Sequence, residues 1–574
     1  MASLHLAALL IALAGGPATV DPPPRPPPRG DEVMDDPEDT ARPASPARRA
    51  SEPAPRRAGG DEVMDDPEDT APRARPAPRP VVSPTPAPAS ETARFVPRVL
   101  VGGFFQLFTA FDVRYEGRRR GVAGDHRPSE DIWELRTRGR LHLEARFKRW
   151  AKARIEARLE HWVSCERPRT GNVFYFANGQ GWVSHAEVEL GEAYVDLYTG
   201  PVDLRIGQQI VTWGLNELIN PNSVVNPLDL RRGLLVFDDD LRIPVLAVKA
   251  AWHFKGMKLE AVWQPFFVGH RLDVWGSDFA LLGPGSSSRM GEAEAQIDGV
   301  IDPTIRPYVQ PLLLATRRPR DDLSGSSAGL RFSGSRRGWD FGLQYWFGWD
   351  RTPGVSVESD FYRAALDGDL FQGGVINVGA LGALIAGNPI YRARYHHGHQ
   401  VGLSVGKAFE QVALRLDVAY FPDRGFLRTD RVPEPLGTGL IDLRVKYQTL
   451  LSALSVEYAY GQTLLVQVEA VHGALLDRAA DDPRELMGFL TERQLALVVA
   501  LVRLQLLRQT LLITLAGAVD VIHGSFVLAP TVAYKITDTW RVGLGAMVFE
   551  GGSDTLFGNW TRNDMVWADV KWSF

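Results

Sequence analysis

The stretch RLHLEARFK, residues 140–148, decides the fold, because every odd-numbered residue in it is apolar and every even-numbered residue is ionisable. Residues 151–160 repeat the pattern, with Ala153, Ile155, Ala157 and Leu159 on one face and charged residues on the other. Successive side chains of a strand point to opposite faces, whereas a helix would scatter these residues around its axis. Both stretches therefore predict β-strands with one polar and one apolar face.

Similar runs recur along the chain and predict about eighteen strands. They lie near residues 99–115, 133–148, 151–163, 184–198, 202–212, 243–253, 257–267, 327–335, 338–349, 399–408, 411–420, 446–459, 463–472, 492–506, 509–520, 525–535, 539–549 and 564–574. Connections after even-numbered strands are tight and those after odd-numbered strands are mostly long, with one short exception at 521–524. This alternation is typical of bacterial outer-membrane barrels.

The predicted fold class is therefore all-β, a transmembrane antiparallel β-barrel of about 18 strands, within a range of 16–18. A sandwich of about seven to nine strands would be too small to hold so many strands. Aromatic residues at the ends of the runs predict interfacial girdles: Trp150, Trp162, Tyr198, Trp339, Trp346 and Trp540. The last run resembles the terminal strand of Gram-negative outer-membrane barrels, which implies that Trp572 and Phe574 act as an assembly signal for the barrel-assembly machinery.

The N-terminal region predicts export and a spacer. Residues 1–14 carry an apolar stretch and an A-x-A site, which indicates a signal peptide. Residues 15–97 are rich in proline, arginine and acidic residues and predict a disordered linker, in which GDEVMDDPEDTA occurs at 30–41 and again at 60–71. The linker is interpreted as an extended spacer, or as a tether to a periplasmic polysaccharide-export or cell-wall partner. Residues 98–574 form the barrel, and the expected location is the cell outer membrane.

Composition excludes several classes of protein. The chain has 574 residues, 23% of them charged, and a mean hydropathy of −0.14, which argues against a bundle of membrane helices. A net charge of −5 gives no electrostatic reason to expect a nucleic-acid partner. The single cysteine, Cys165, rules out an intrachain disulfide and a CxxC metal site. No cofactor is expected.

The polar faces of the early strands supply candidate pore-lining residues. Arginines there could attract anionic groups, and interleaved acids would order them. The alternative is a wall whose charges neutralise one another. The candidates are Arg140, Glu144, Arg146, Lys152, Arg154, Glu156, Arg158, Glu160, Glu187, Glu189, Asp203 and Arg205.

A second candidate feature follows the fifth strand, where a WG pair precedes two Asn-Pro steps. Its motif residues are Trp213, Gly214, Asn220, Pro221, Asn226, Pro227 and Asp229. Together with the barrel, this spacing resembles an uncharacterised family of outer-membrane proteins, domain of unknown function 1302, and the resemblance brings no catalytic residues. The loop is long enough to fold into the lumen, and the alternative is a rigid turn that braces the barrel wall.

Three other features give weaker signals. The HHGH run at 396–399 lacks a carboxylate at ligand spacing and is not expected to bind metal. The acidic run at 238–240 is expected to be a solvated charge run rather than a calcium site. The uncharged segment 370–391 is too rich in glycine for a membrane helix and is expected to be a loop packed inside protein.

The expected function is an outer-membrane channel, or porin, for a hydrophilic, anionic solute. An eighteen-strand barrel with a charged lumen also resembles the alginate-export type of porin, which implies polysaccharide export. Two alternatives stay open: an outer-membrane lipid-modifying enzyme, and a purely structural or adhesion barrel. No motif of a catalytic site occurs, so an enzyme is not expected. The outer-membrane lipid is the expected partner of the apolar face.

Overall fold

A computed structural model of the protein describes residues 98–113, 132–164, 183–230, 241–271, 314–317, 319–320, 322–359, 371–372, 375–376, 391–428, 439–484, 486–487, 492–552, 555–561 and 563–574. The predictions for residues 1–97 and for the acidic run at 238–240 lie outside these ranges. So does most of the uncharged segment 370–391.

Eighteen long strands make up the main sheet. They are β1 (Arg98–Asp112), β2 (Ile132–Phe147), β3 (Ala151–Ser164), β4 (Val183–Tyr198), β5 (Val202–Gln209), β6 (Val245–Phe254), β7 (Met257–Gln264), β8 (Ser327–Arg336), β9 (Trp339–Trp349), β10 (His397–Phe409), β11 (Val412–Arg428), β12 (Arg444–Tyr460), β13 (Leu464–Leu475), β14 (Gln494–Leu506), β15 (Leu511–Asp520), β16 (Ser525–Lys535), β17 (Trp540–Glu550) and β18 (Met565–Ser573).

The sheet closes on itself as an antiparallel barrel. Each strand pairs with its neighbours in sequence, and β1 pairs both with β2 and with β18, for example through Leu107 and Val570. Phe574 extends the seam by exchanging two 3.1 Å backbone hydrogen bonds with Gly103. The predicted fold class, number of strands and alternation of tight and long connections are all confirmed, including the short link at 521–524.

The two faces of the barrel wall differ as the alternation predicts. On β2, Leu135, Leu141 and Leu143 point outward and are 40–45% exposed, whereas Glu144 points inward and is 7% exposed. Exposed aromatic residues near the tight connections form the predicted girdle, among them Trp150, Tyr198, Trp339 and Trp540. The apolar outer face needs a nonaqueous environment, because a contiguous apolar surface this large is rare on soluble proteins.

The girdle prediction is wrong for Trp346. Even-numbered residues of β9 point inward, so Trp346 is 5% exposed and packs edge-on against Trp213 inside the barrel, with ring centroids 5.8 Å apart. The alternation on this strand is masked in the sequence, because tyrosine, tryptophan and phenylalanine follow one another at 345–347.

The long connections carry smaller elements. Short strands Leu314–Arg317, Gly354–Glu358, Tyr391–Arg394 and Leu440–Asp442 form a four-stranded sheet, and Phe371–Gln372 pairs with Val375–Ile376. The strand Leu486–Met487 extends the end of β11. Two 3₁₀ turns span Leu323–Gly325 and Gly558–Trp560. Within the described ranges, no helix is long and apolar enough to cross a membrane.

The inner face of β14–β18 is apolar toward the long connections, and we call this part the apolar wall; nearer the tight connections the same face carries the Arg541–Asp569 ion pair. Leu497, Val527 and Phe549 are each 2% exposed although they point into the barrel. They belong to a hydrophobic cluster that also packs against loop residues, among them Leu218, Ile219 and Phe557. This side of the interior is therefore filled with packed protein.

Candidate solute path inside the barrel

The inner face of β2–β8 carries most of the interior charge, and we call it the charged wall. All twelve predicted pore-lining residues lie on β2–β5, within the charged wall. Each of them points inward, because its apolar neighbours along the strand point outward. Their role in lining a pore stays a prediction, but their arrangement can be described strand by strand.

Glu156 on β3 is the centre of the charged wall. Its carboxylate accepts hydrogen bonds from Arg158 at 2.8 Å and Arg154 at 3.0 Å, and Arg140 of β2 approaches to 3.7 Å. Arg154 also lies 3.8 Å from Glu192. One carboxylate thus holds three guanidinium groups together on two adjacent strands.

Nearer the tight connections, the other predicted residues also form ion pairs. Glu144 lies 2.7 Å from Arg146 and 2.8 Å from Lys152. Arg205 binds Asp196 at 2.6 Å and stacks 3.9 Å from the centre of the Tyr194 ring. The last predicted residue there, Asp203, lies 2.9 Å from His253.

Toward the long connections, Glu160 lies 3.1 Å from Arg136. Glu187, Glu189 and Asp229 gather around Arg271. This end of the wall is therefore richer in carboxylates.

Around the centre of the charged wall, the carboxylates are buried beneath their cationic partners. The side chains of Glu156 and Asp196 are 2% and 7% exposed, whereas those of Arg154 and Arg205 are 25% and 23% exposed. The charges largely balance in number, yet in these pairs the cationic side chain is the more exposed partner.

The segment 210–230 leaves β5 and enters the barrel, and we call it the inner loop. Trp213 is fully buried and donates its Nε1–H to Glu260 of β7 at 2.6 Å. Gly214 has a φ of 92°, and a Cβ there would lie 2.2 Å from Oδ1 of Asn220. Only glycine allows the chain to turn inward at this point.

The far end of the inner loop is bound to β11–β13, at least six strands away from β5. Asp417 accepts the backbone N–H groups of Leu215 at 2.8 Å and Asn216 at 2.7 Å, together with the side-chain amide of Asn222 at 3.1 Å. The backbone N–H of Ile219 donates to Glu469 at 2.8 Å. Both carboxylates are fully buried, so the loop spans the lumen and is fixed to the opposite side.

The remaining motif residues fix the return of the inner loop. Asn220 donates to the carbonyl of Trp213 at 2.9 Å, and Asn226 donates to the carbonyls of Gln209 and Ile243. Pro221 lies in the tip of the loop, and the carbonyl of Pro227 accepts from the backbone N–H of Ile243 at 2.8 Å. The loop thus does what both sequence hypotheses described: it folds into the lumen, and it braces the wall.

Two further loop residues hold the inner loop from the side of the long connections. The guanidinium of Arg351 donates to the carbonyls of Val225 and Val268, and burial lowers its pKa to about 10. Nδ1 of His270 accepts the backbone N–H of Leu228 at 2.9 Å. Burial, with Arg351 and Arg424 nearby, lowers the pKa of His270 to about 3, so its ring is neutral. Neither residue was predicted, because their partners are distant in sequence.

Two cations of the charged wall were also missed. Lys249 of β6 stands opposite Arg205, and Arg331 of β8 stands opposite Glu260. Neither makes an ion pair or side-chain hydrogen bond with any described residue. The alternation of Gly329, Arg331 and Ser333 was a signal that could have identified Arg331 as inward-facing.

The HHGH run does not form a metal site in the described part of the chain. His397 stacks on Phe347 and Trp349, and His399 hydrogen-bonds Tyr345 at 2.8 Å. No group of three or more histidine, cysteine or acidic side chains among the described residues could hold a metal ion.

The inner loop and ten of the barrel's strands, β4–β13, lie within residues 167–499, which match the model of a protein family of unknown function, DUF1302. The chain belongs to the DUF1302 family. The match confirms the resemblance seen in the WG and Asn-Pro motif. No protein with a curated description matches the sequence.

Solved structures similar to this DUF1302 protein are distant from it in sequence. OccAB3 of Acinetobacter baumannii is 8% identical, with 83% of this chain and 99% of that chain covered and a TM-score of 0.41. OpdK of Pseudomonas aeruginosa, solved with vanillate, is 9% identical, with 83% and 98% covered and a TM-score of 0.40. OmpF of Salmonella typhi, in complex with daunomycin, is 8% identical, with 83% and 97% covered and a TM-score of 0.34.

Proposed function

We propose that the protein is an outer-membrane channel for small, hydrophilic anions. The observation that carries this proposal is that Glu144, Glu156 and Asp196 of the charged wall are buried beneath cationic partners that are more exposed than they are. In a narrow, partly low-dielectric passage, such a surface raises the local concentration of anions. The apolar wall is closed by packing, so the water-filled route follows the charged wall, off the barrel axis.

The size of the solute follows from the inner loop. A polysaccharide chain in transit needs a continuous bore, whereas here a segment hydrogen-bonded to both sides spans the lumen. This arrangement supports a small solute and gives no support to polysaccharide export, which stays a sequence-based prediction.

The apolar outer face and the aromatic residues near the tight connections support insertion in the outer membrane, with the tight connections in the periplasm. Assembly by the barrel-assembly machinery and docking of residues 15–97 to a periplasmic partner belong to the same proposal. A cysteine in the Lys255-Gly256 turn should resist labelling in intact cells, whereas one at Ser324 should label. Equal labelling would contradict this orientation.

A role without catalysis is also part of the proposal. His523 lies 2.7 Å from Asp520 and 3.2 Å from Glu492, so both of its ring nitrogens face carboxylates rather than a nucleophile. This histidine gives no support to a lipid-modifying enzyme.

The proposed function is tested by reconstituting the purified protein in planar bilayers. We expect stepwise conductance and a reversal potential in a KCl gradient that favours chloride. An absence of conductance would contradict the channel and favour a structural or adhesion barrel.

A further inference from the structure

A cavity of about 570 Å³ lies at the tight-connection end of the barrel, where the turn at residues 254–257 forms one edge of it. Inward-facing residues of β6–β9 line it, and Leu215 of the inner loop also lines it. They are His253, Lys258, Arg331, Ser333 and Asp340. Its volume is that of a small-molecule site, because such pockets measure about 300–1,000 Å³.

Arg331 makes no ion pair or side-chain hydrogen bond with any described residue, and the charges of Glu260 and Asp417 act on it only from a greater distance. The carboxylate opposite it, Glu260, is already bound by the Trp213 indole N–H at 2.6 Å and by Lys258 at 3.1 Å. Nε of Arg331 is buried without a hydrogen-bond acceptor. The N–H donors of this guanidinium have no acceptor among the described residues, so they are available to water or to a ligand.

The next strand leaves room for the guanidinium of Arg331, because residue 342 is a glycine. A Cβ at Gly342 of β9 would lie 3.3 Å from both Nε and Nη2 of Arg331. This glycine therefore leaves the room in which the guanidinium lies across β9. Without Gly342, the group would have to shift by a few tenths of an ångström.

A second cation of the charged wall that makes no ion pair with a described residue lies two strands away from Arg331. Lys249 of β6 is half-buried and stands between Arg205 of β5 and the Lys258–Glu260 pair of β7. Like charges directly opposite each other destabilise a sheet, and Lys249 faces Arg205 in this way. Lys249 lies in the row of Val262 and Gly329, one inward position farther from the tight connections than Arg331, and adds positive charge above the cavity without lining it.

We propose that Arg331 is the binding residue of an oxyanion subsite in this cavity, and that its ligand is a small organic carboxylate. Lys258 adds positive charge to the lining, and Asp340 on the neighbouring strand β9 disfavours ligands with a second negative charge. A planar carboxylate matches the guanidinium fork with two parallel hydrogen bonds. This inference rests on the proposed channel, because the subsite lies on the same route below the inner loop.

The test measures block of KCl conductance by sodium benzoate in planar bilayers. We expect saturable block of the unmodified channel, and an apparent affinity at least about tenfold weaker in Arg331→Gln, since hydrogen bonds to charged groups contribute that much. Arg331→Lys keeps the positive charge but lacks the planar pair of donors, so its apparent affinity for benzoate should lie between those of the unmodified channel and Arg331→Gln. Arg541→Gln is the matched control, because Arg541 pairs with Asp569 at 3.1 Å on the far side of the barrel.

Two other probes identify the ligand chemistry. Neutral benzamide should have no effect. Inorganic phosphate should bind more weakly than benzoate, and the reverse order would overturn the assignment to a carboxylate. Equal block of the unmodified channel and Arg331→Gln, or conductance without saturable block, would overturn the subsite while leaving the channel in place.

If the protein does not conduct, the proposed channel fails, and the subsite is tested separately by isothermal titration calorimetry of benzoate into the detergent-solubilised protein. Binding by the unmodified protein that is lost in Arg331→Gln supports the subsite. No binding by the unmodified protein overturns it.

Discussion

The two sides of the barrel interior differ in how their inward-facing side chains are stabilised. The charged wall satisfies its buried carboxylates with cations and leaves the cations accessible, whereas the apolar wall buries leucine, valine and phenylalanine against loop residues. A closed sheet whose inner face were polar all round would leave a wide bore. Packing one side with protein confines water to the other side and brings solutes close to a single row of charges.

The largest expected difference between the two walls is in the free energy of unfolding when an inward-facing residue is replaced by aspartate. Leu497→Asp places a carboxylate in the packed cluster with no partner, which should lower the free energy of unfolding by about 3–5 kcal/mol. Lys249→Asp on the charged wall breaks no ion pair among the described residues and should change it by less than about 1 kcal/mol. Urea unfolding in lipid vesicles measures both. Equal losses would show that the two sides do not differ in packing.

The next effect concerns the inner loop, which lies between the walls. Asp417→Asn removes the negative charge that holds Leu215, Asn216 and Asn222, and it should cost about 2 kcal/mol, since hydrogen bonds to charged groups contribute about 1.5–3 kcal/mol each. The released loop should raise single-channel conductance. Asp569→Asn is the control, because Asp569 is also a buried carboxylate, pairs with Arg541 at 3.1 Å and makes no contact with the inner loop among the described residues. Unchanged conductance in Asp417→Asn would mean that this loop does not constrict the path.

A smaller effect is expected in ion selectivity. Glu156→Gln should shift the reversal potential toward anions, because three guanidinium groups lose their shared carboxylate. Arg158→Gln is the matched substitution, because it removes a positive charge instead of a negative one, and it should shift the reversal potential toward cations. Shifts in the same direction would contradict a route along the charged wall.

The smallest effect is a dependence on pH at the edge of the inner loop. The folded-state pKa of His270, about 3, is below the ordinary value of 6.5, so the unfolded state binds more protons between these values. The stability that neutral His270 provides is therefore present above pH 6.5 and decreases as the pH falls toward 3. Proteolysis of the loop should increase at pH 5 relative to pH 7.5. His270→Gln, whose amide oxygen can accept from Leu228, should remove that difference; if the difference persists, another group titrates.

The sequence allows most of the barrel to be predicted, because the two-residue period of a strand is visible wherever one face is charged. β2 shows it over residues 140–148 and β3 over residues 151–160, and Glu144 and Glu156 lie on the buried inner face of these strands. β14 does not, since QLALVVALVRLQL is apolar on both faces. The strand could be recognised, but its packed inner face could not, because that packing depends on Leu218 and Phe557 from distant loops.

The inner loop could likewise be predicted only in part, because its contacts are made with residues that are distant in sequence. Its asparagines and prolines indicate a rigid, polar turn, and both hypotheses about it were partly right. The direction in which it folds depends on Asp417 and Glu469, which lie about 200 to 250 residues away in sequence. Asp417 and Glu469 occupy ordinary inward-facing positions of their strands, so their hydrogen bonds to the inner loop could not be predicted from the sequence.

The most direct test of an off-centre route is the reaction of single cysteines with an anionic thiosulfonate reagent in the open channel. Cys165 is first replaced by serine, and a cysteine is then introduced either as Arg158→Cys on the charged wall or as Leu497→Cys on the apolar wall. We expect rapid modification at position 158, with a stepwise change in conductance, and no modification at position 497. Equal reaction at both positions would show that water and anions reach the two walls alike, which would contradict the account.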